Sequence, residues 1–167
     1  MTVTVTNGGV LLIDDVRLIH KNFSGVGTKF NAPGNRNFSI VIPDETSRDI
    51  IVNAGYDVHI RDPREEGDGP FMFLPVKMKF FGDGRDPAIY VVSGKAKNRL
   101  TENTVGMIDS MVIEKVDLDI RPYHWTANGN SGVAAYLQNM CVYQRMNRFE
   151  TRFAEESDEN IIIPPMV

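Results

Sequence analysis

The sequence is poor in the residues that metal, redox and nucleophilic chemistry require. Its one cysteine, Cys141, lies in an apolar run between Met140 and Val142, a setting typical of a buried and unreactive thiol. The histidines show no H-x-x-x-H or Cys/His spacing, so no zinc site is predicted at His20, His59 or His124. No Ser-His-Asp signature is present either. We therefore predict a protein that is not an enzyme and that needs no metal or other cofactor.

Long hydrophobic runs are also missing. A membrane-spanning helix needs about 18 or more consecutive apolar residues, and no stretch of that length occurs. The N-terminal residues MTVTVTNGG lack the basic and apolar segments of a secretory signal peptide. The sequence therefore predicts a protein that stays in the cytoplasm where it is made, with no membrane partner.

The surplus of negative charge lies at one end of the chain. The 167 residues include 18 Lys and Arg against 22 Asp and Glu. Near the C-terminus Arg152 is the only base, among the acids Glu150, Glu155, Glu156, Asp158 and Glu159. Residues 1–149 then hold 17 bases and 17 acids, and a neutral body can still carry a basic face. We predict a folded domain over residues 1–152 and a flexible, acidic, apolar-ended tail over residues 153–167.

Short alternating or β-branched runs recur along the chain, separated by Gly, Pro, Asn and Asp. Sustained helical periodicity is scarce, and the length favours one domain. We predict a mainly β fold, an antiparallel barrel that is closed or nearly closed. Its seven strands are predicted at Val10 to Lys21, Arg36 to Pro43, Asp57 to Arg61, Leu74 to Phe81, Ala88 to Ser93, Met111 to Arg121 and Gly132 to Arg145.

One or two short helices are predicted between these strands. Asp44 can cap a helix that follows Pro43 and stops at Gly55, and this helix is expected to plug one end of the barrel. A second short helix or turn is predicted from Thr101 to Ile108. Clusters of turn-forming residues predict two loops, at Asp62 to Pro70 and at Gly82 to Pro87.

The strand from Leu74 to Phe81 is the most informative. Period-two alternation places Lys77, Lys79 and Phe81 on one face, opposite Val76, Met78 and Phe80. Proteins that bind single-stranded nucleic acid need this combination, because cations follow the phosphates and an aromatic ring stacks on any base. A solvated outer face with one ring under a loop explains the same pattern equally well.

Three other segments carry cations or rings. In the strand from Asp57 to Arg61, His59 and Arg61 are predicted to point outward, and Lys95, Lys97 and Arg99 alternate along a loop or strand end. The segment FSGVGTKFNAPGNRNF joins glycines with cations and rings but lacks the G-x-x-x-x-G-K-[ST] pattern of a phosphate-binding loop. Its cations are Lys29 and Arg36 and its rings are Phe23, Phe30 and Phe38, a combination that suits an extended strand of nucleic acid.

Tyr123 and Trp125 follow Pro122 at a strand end, where they either present stacking rings or cap the core. The acid pairs Asp14/Asp15 and Asp117/Asp119 could suggest magnesium chemistry. No third ligand is evident, so a solvated face is favoured for both pairs.

Taken together, several segments resemble the single-stranded DNA-binding proteins of tailed phages that are built on an OB-fold. They are FSGVGTKFNAPGNRNFSIVIPDE, GYDVHI, LPVKMKFF, PAIYVVSG, LTENTVGMID and VDLDIRPYHW…GVAAYLQNMCVYQ, which span roughly residues 22–144. The resemblance implies a small barrel that coats and protects single-stranded DNA, without strong sequence preference, during phage replication and recombination in the host cytoplasm.

The resemblance also implies where DNA is contacted. The main implied contacts are Lys29, Phe30, Arg36, Lys77, Lys79 and Phe81, and the weaker ones are Phe23, Arg61, Arg99, Tyr123 and Trp125. The tail looks like those by which such proteins compete with DNA and recruit replication or recombination partners. Its Ile-Pro-Pro-Met-Val end departs from the bacterial aromatic terminus, so a phage-encoded partner or pairing within a homo-oligomer is equally open.

Two other functions compete with this one. A β-barrel phage assembly protein without nucleic-acid binding would use the patterned strands for subunit contacts only. A magnesium-dependent enzyme acting on nucleic acid would use Asp14, Asp15, Asp117 or Asp119. DNA binding that survives moderate salt would favour a DNA-coating protein over the assembly protein. Metal-dependent turnover would favour the enzyme.

Overall fold

The computed structural model describes residues 1–146 together with residues 149 and 152. Among these residues, ten strands and two short helices are formed, which confirms the mainly β prediction. The strands are β1 Thr2–Val5, β2 Leu11–Asp14, β3 Arg17–Asn22, β4 Arg36–Ile42, β5 His59–Arg61, β6 Phe71–Met78, β7 Ala88–Ser93, β8 Ala96–Leu100, β9 Ile113–Ala127 and β10 Asn130–Gln144. The helices are α1 Glu45–Asn53 and a 3₁₀ helix, Val105–Ser110.

The strands form one sheet in the order β1-β2-β9-β10-β6-β4-β3, with β5 added to β6 and β7–β8 added to β10. Most pairs are antiparallel, as predicted, while β10 pairs in parallel with β6 and with β7. The sheet is not closed, because β1 and β3 end this path without pairing with each other in the part of the chain that the structure describes.

Alternation of apolar residues builds the core on the inner face of this sheet. On β6, Met72, Leu74, Val76 and Met78 are buried, and β9 contributes Val116, Leu118 and Ile120 by the same period of two. The predicted inward direction is therefore confirmed for Val76 and Met78. The intervening residues form the outer face that carries the site.

Helix α1 follows the predicted capping pattern. The Asp44 side chain accepts a hydrogen bond of 2.7 Å from the Ser47 backbone N–H, and this lowers the pKa of Asp44 below its usual value. The helix stops where Gly55 adopts φ +101°, a conformation that favours glycine. Its buried Ile51 joins the main core. The second helix begins at Val105, after a turn, within the segment predicted from Thr101 to Ile108.

Several predicted boundaries were wrong. The strand predicted from Val10 to Lys21 is divided into β2 and β3 by Asp15, whose φ of +55° breaks the extended backbone. Strands β1 and β8 were not predicted. Strands β9 and β10 extend further than predicted, to a two-residue turn at Asn128-Gly129, which is a favoured hairpin sequence. Cys141 is half-buried rather than fully buried.

No helix among the described residues could cross a membrane.

Candidate nucleic-acid interface

The site begins with a row of outward side chains that crosses four strands. Asn37 on β4 pairs with Lys77 on β6, Lys77 pairs with Tyr136 on β10, and Tyr136 pairs with Arg121 on β9. Directly paired residues point to the same face of a sheet. The register therefore places two cations and a phenol ring in one line on the outer face.

Two adjoining depressions lie along this row, and we call them together the central groove. The first, of about 570 Å³, is lined by Phe30, Arg36, Lys77 and Phe80. The second, of about 1000 Å³, is lined by Phe81, Arg85, Arg121 and Tyr123. Lys79 and Tyr136 line both depressions, so the two form one continuous surface.

Phe30 stands at one end of the central groove on the loop between β3 and β4. Its ring is 89% exposed, with Lys29 Nζ 5.2 Å from the ring centroid. The loop is held by the Asn31 side chain, which donates to the carbonyls of Val26 and Asn35 and accepts from Asn37 Nδ2 at 2.9 Å. The loop therefore holds a bare aromatic ring in a fixed place.

At the other end, the β9–β10 hairpin presents two more rings. Tyr123 and Trp125 lie on the same face of β9 as Arg121, and the Tyr123 ring packs edge-on against Tyr136 at 5.6 Å. Trp125 lies across Gly132, where an added Cβ would come within 2.7 Å of the indole. Trp125 is 39% exposed and lies outside the core, so it does not cap the barrel interior.

Phe81 is covered by cations on the groove wall. Lys79 Nζ lies 5.1 Å and Arg85 Cζ 4.1 Å from its ring centroid. Arg85 also donates to both carboxylate oxygens of Asp83, from Nη2 to Oδ2 at 2.8 Å and from Nε to Oδ1 at 3.1 Å. This pairing lowers the pKa of Asp83 and raises the pKa of Arg85, so the guanidinium stays charged.

Acidic side chains near the groove form hydrogen bonds or ion pairs with other residues of the protein. Glu102 on the groove wall lies 3.5 Å from Arg36 Nη1, and Arg36 Nε also donates to the Phe23 carbonyl at 2.9 Å. Asp117 accepts from the Asp15 backbone N–H, and Asp119 accepts from Asn139 Nδ2. Among residues 1–146, 149 and 152, no group of three or more His, Cys, Asp or Glu could hold a metal ion.

The structure brings together most of the residues that the sequence singled out. The central groove is lined by Phe30, Arg36, Lys77, Lys79, Phe81 and Tyr123. Lys29 lies beside Phe30, and Trp125 lies two residues beyond Tyr123 along the hairpin. Arg61 and Arg99 lie on other parts of the outer surface, over Phe73 and Tyr90 respectively.

Phe23 corrects one prediction. Its ring is fully buried and stacks on Phe38 with centroids 5.0 Å apart and planes within 14°. A base cannot reach it, so the predicted DNA contact at Phe23 is wrong. The residue holds the base of the loop that presents Phe30.

Four groove residues were missed from the sequence: Phe80, Arg85, Arg121 and Tyr136. Phe80 was assigned to the inner face, but it is half-buried and also lines the groove, with Arg36 Cζ 5.6 Å from its ring. Arg121 could have been found, because the alternation that joins Asp117 and Asp119 reaches it in one more step. Tyr136 reaches the groove through the parallel β6–β10 pairing, and no local sequence pattern predicts that pairing.

The groove combines the two chemistries that a single nucleic-acid strand requires. Lys77, Lys79 and Arg121 offer positive charge to phosphates, and exposed rings at both ends offer faces on which bases can stack.

Comparisons with known proteins point in the same direction. A family described as "Putative phage ssDNA-binding domain" matches residues 2–163, nearly the whole chain. No curated protein matches the sequence.

Two solved structures share the fold, both of the single-stranded DNA-binding protein from bacteriophage Enc34. The form in complex with ssDNA is 13% identical, with a TM-score of 0.56, and the match covers 88% of this chain and 93% of that chain. The C-terminal truncation is 12% identical, with a TM-score of 0.53 and coverages of 87% and 91%. At such identities the likeness concerns the fold alone, and it agrees with the OB-fold-like architecture that the sequence predicts.

Proposed function

The chain belongs to the phage single-stranded DNA-binding domain family, and from that premise we propose that its central groove is the surface that holds the DNA. The protein coats and protects single-stranded DNA, without strong sequence preference, during phage replication and recombination. It acts as a binding protein rather than an enzyme, without a cofactor, in the cytoplasm of the host cell.

One observation supports this site above all. Two depressions with different walls share Lys79 and Tyr136, so cations and rings alternate along one continuous path. Phosphates would lie against Lys77, Lys79 and Arg121, and bases would stack on Phe30 at one end and Tyr123 at the other. Such contacts do not depend on base identity.

The test is a fluorescence-anisotropy titration of labelled oligo-dT over a salt series, with a duplex as competitor. The variant Lys77→Gln, Lys79→Gln removes two groove charges, and Arg48→Gln, Arg145→Gln removes two charges that line neither depression. We expect the groove variant to lose about tenfold in affinity and its salt slope to fall by about 1.4, since each phosphate contact contributes about 0.7. The control should bind like the wild type.

Trp125 adds a label-free readout, because it is the only tryptophan in the chain. A base stacked near the hairpin should quench its emission in the wild type and in the control. If the wild type binds duplex as well as single strand, or binds neither at low salt, the groove assignment fails. If it binds neither, a β-barrel assembly protein without nucleic-acid binding becomes the better account.

The tail and subunit contacts are further parts of the proposal. Residues 153–167 lie outside the described part of the structure, and their support is the sequence alone: four acids followed by an apolar end. We propose that this tail competes with DNA for the groove and recruits replication or recombination proteins. Homo-oligomerisation through a sheet edge is compatible with the open ends of the β1–β3 path.

A further inference from the structure

The depressions on the outer face do not end at Phe30. A third depression, on the far side of the Phe30 loop, shares Phe30, Asn31 and Asn37 with the central groove and reaches His20. A fourth, of about 620 Å³, begins at His20 and is lined by Arg17, Arg61 and Phe71. We call the fourth depression the distal cleft. Shared walls make one trough from Tyr123 to Arg61, with Phe30 as a ridge in its middle.

The distal cleft repeats the chemistry of the central groove. Arg61 Cζ lies 4.9 Å from the ring of Phe73, and the edge of the His20 ring meets the same ring at 5.4 Å. Phe71 lies next to Phe73 at 5.8 Å and is 38% exposed, so its ring is open to a ligand. Three arginines line the cleft against two acids: Arg17, Arg61 and Arg64, with Asp62 and Asp68.

An unusual backbone conformation at His20 places its side chain in the wall of the distal cleft. His20 has φ +52°, a conformation that non-glycine residues rarely adopt, and the β3–β4 register shifts between Ile19 and Asn22. An irregularity of this kind redirects a side chain, and here it brings the imidazole onto Phe73. Strained backbone clusters at functional sites, and here it lies beside a cationic, aromatic surface.

One acid lies along the passage between the two clusters, and its carboxylate is hydrogen-bonded to the protein. The third depression contains one acid, Asp109, whose carboxylate accepts from the backbone N–H groups of Phe23 and Ser24 and from the Ser24 hydroxyl. Lys77 and Phe71 lie on one face of β6, six residues apart, which is about 20 Å of strand. A single strand can span that length within the footprint of about 4–16 nucleotides typical of one OB-fold.

We propose that the distal cleft binds a second segment of the same single-stranded DNA, which crosses over Phe30 from the central groove. Its phosphates lie against Arg17 and Arg61, and a base stacks on Phe71. The inference rests on the proposed function of the groove. The cleft lengthens the footprint and adds affinity only for strands long enough to reach it.

The test compares labelled oligo-dT of about 6 and about 16 nucleotides, lengths that bracket one OB-fold site. The charge variant is Arg17→Gln, Arg61→Gln, the ring variant is Phe71→Ala, and Arg48→Gln, Arg145→Gln is the control. For the long oligonucleotide we expect the charge variant to lose about tenfold in affinity and its salt slope to fall by about 1.4. The ring variant should lose affinity at an unchanged slope. Neither should change binding of the short oligonucleotide.

Other outcomes overturn the proposal in distinguishable ways. Equal losses at both lengths, in variants whose circular dichroism matches the wild type, would place the cleft within the primary site. Unchanged binding at both lengths would exclude the cleft from the DNA path. A change in molar mass by light scattering, without a change in binding, would make the cleft a subunit interface. Failure of the wild type to bind either length would remove the central groove as well.

Discussion

At the scale of single residues, exposure distinguishes binding rings from structural ones. Phe23 and Phe30 lie seven residues apart in the same glycine-rich segment, yet one is fully buried and the other is 89% exposed. An exposed phenylalanine contributes nothing to the core and costs free energy in water. A ligand that covers the ring would recover that cost, and a base offers a matching flat surface.

Glu102 is the residue whose removal should strengthen DNA binding. Its carboxylate lies on the wall of the central groove, 3.5 Å from Arg36, where it neutralises a cation and repels phosphate. We expect Glu102→Gln to bind oligo-dT about threefold more tightly at low salt, since exposed charge pairs are worth little more than this. The measurement is the anisotropy titration at two salt concentrations.

Glu65→Gln is the matched control, because Glu65 is exposed and lines neither depression of the groove. Weaker binding by Glu102→Gln would show that its ion pair is needed to position Arg36. In that case the Arg36 guanidinium, which also donates to the Phe23 carbonyl, serves the loop rather than the DNA.

At the scale of elements, Tyr56 ties the end of α1 to the sheet. Its hydroxyl is buried and donates to the Gly9 carbonyl at 2.7 Å, near the Ile120 carbonyl at 3.4 Å. Burial raises the pKa of Tyr56 to about 12. Because the folded-state pKa lies above the ordinary value of about 10, this contribution to stability is complete below pH 10 and is lost as the pH rises through about 12.

We expect Tyr56→Phe to destabilise the fold by about 1 kcal/mol at pH 8, the usual contribution of one hydrogen bond. Urea denaturation at pH 8 and pH 11 should show a smaller alkaline loss in the variant than in the wild type. Tyr143, whose pKa is raised through its hydrogen bond with Cys141, is present in both proteins and cancels in the comparison. An equal alkaline loss in both would mean that Tyr56 does not titrate with folding.

How far the sequence predicts these elements depends on the range of the interactions that form them. The strand at Ala88–Ser93 and the helix after Asp44 follow local alternation and capping, and both were predicted correctly. The division at Asp15 was not, because it depends on a distant carboxylate, Asp117, which accepts from the Asp15 backbone N–H.

The candidate site follows the same rule. Lys77 and Lys79 could be singled out from one strand, since alternation fixes the face on which each side chain lies. Tyr136 joins them only through the parallel β6–β10 pairing. Arg61 joins them only through the depressions that meet at Phe30 and His20. Sequence patterns can identify single residues of such a surface. They do not show which of these residues lie next to one another, because that depends on the pairing of distant strands.

At the scale of the whole molecule, the distribution of charge matters more than its sum. The chain carries a net charge of −4, yet all four acids of residues 153–167 lie in a segment without a base. Residues 1–152 are therefore neutral overall, with 18 bases and 18 acids. Eight of these bases line the central groove or the distal cleft, against four acids. A tethered acidic segment that reached these cations would compete with phosphate for them, and salt at 0.1 M would screen the attraction beyond about 10 Å.

Deletion of residues 153–167 should accordingly strengthen binding of oligo-dT several-fold at low salt, with a difference that vanishes as salt rises. A full-length variant with Glu155→Gln, Glu156→Gln, Asp158→Asn and Glu159→Gln separates charge from length. If it reproduces the gain, the carboxylates compete with DNA, as their charge requires. If only the deletion shows the gain, the apolar Ile-Ile-Ile-Pro-Pro-Met-Val end occupies the groove instead. Unchanged binding in both would leave the tail to partner recruitment alone.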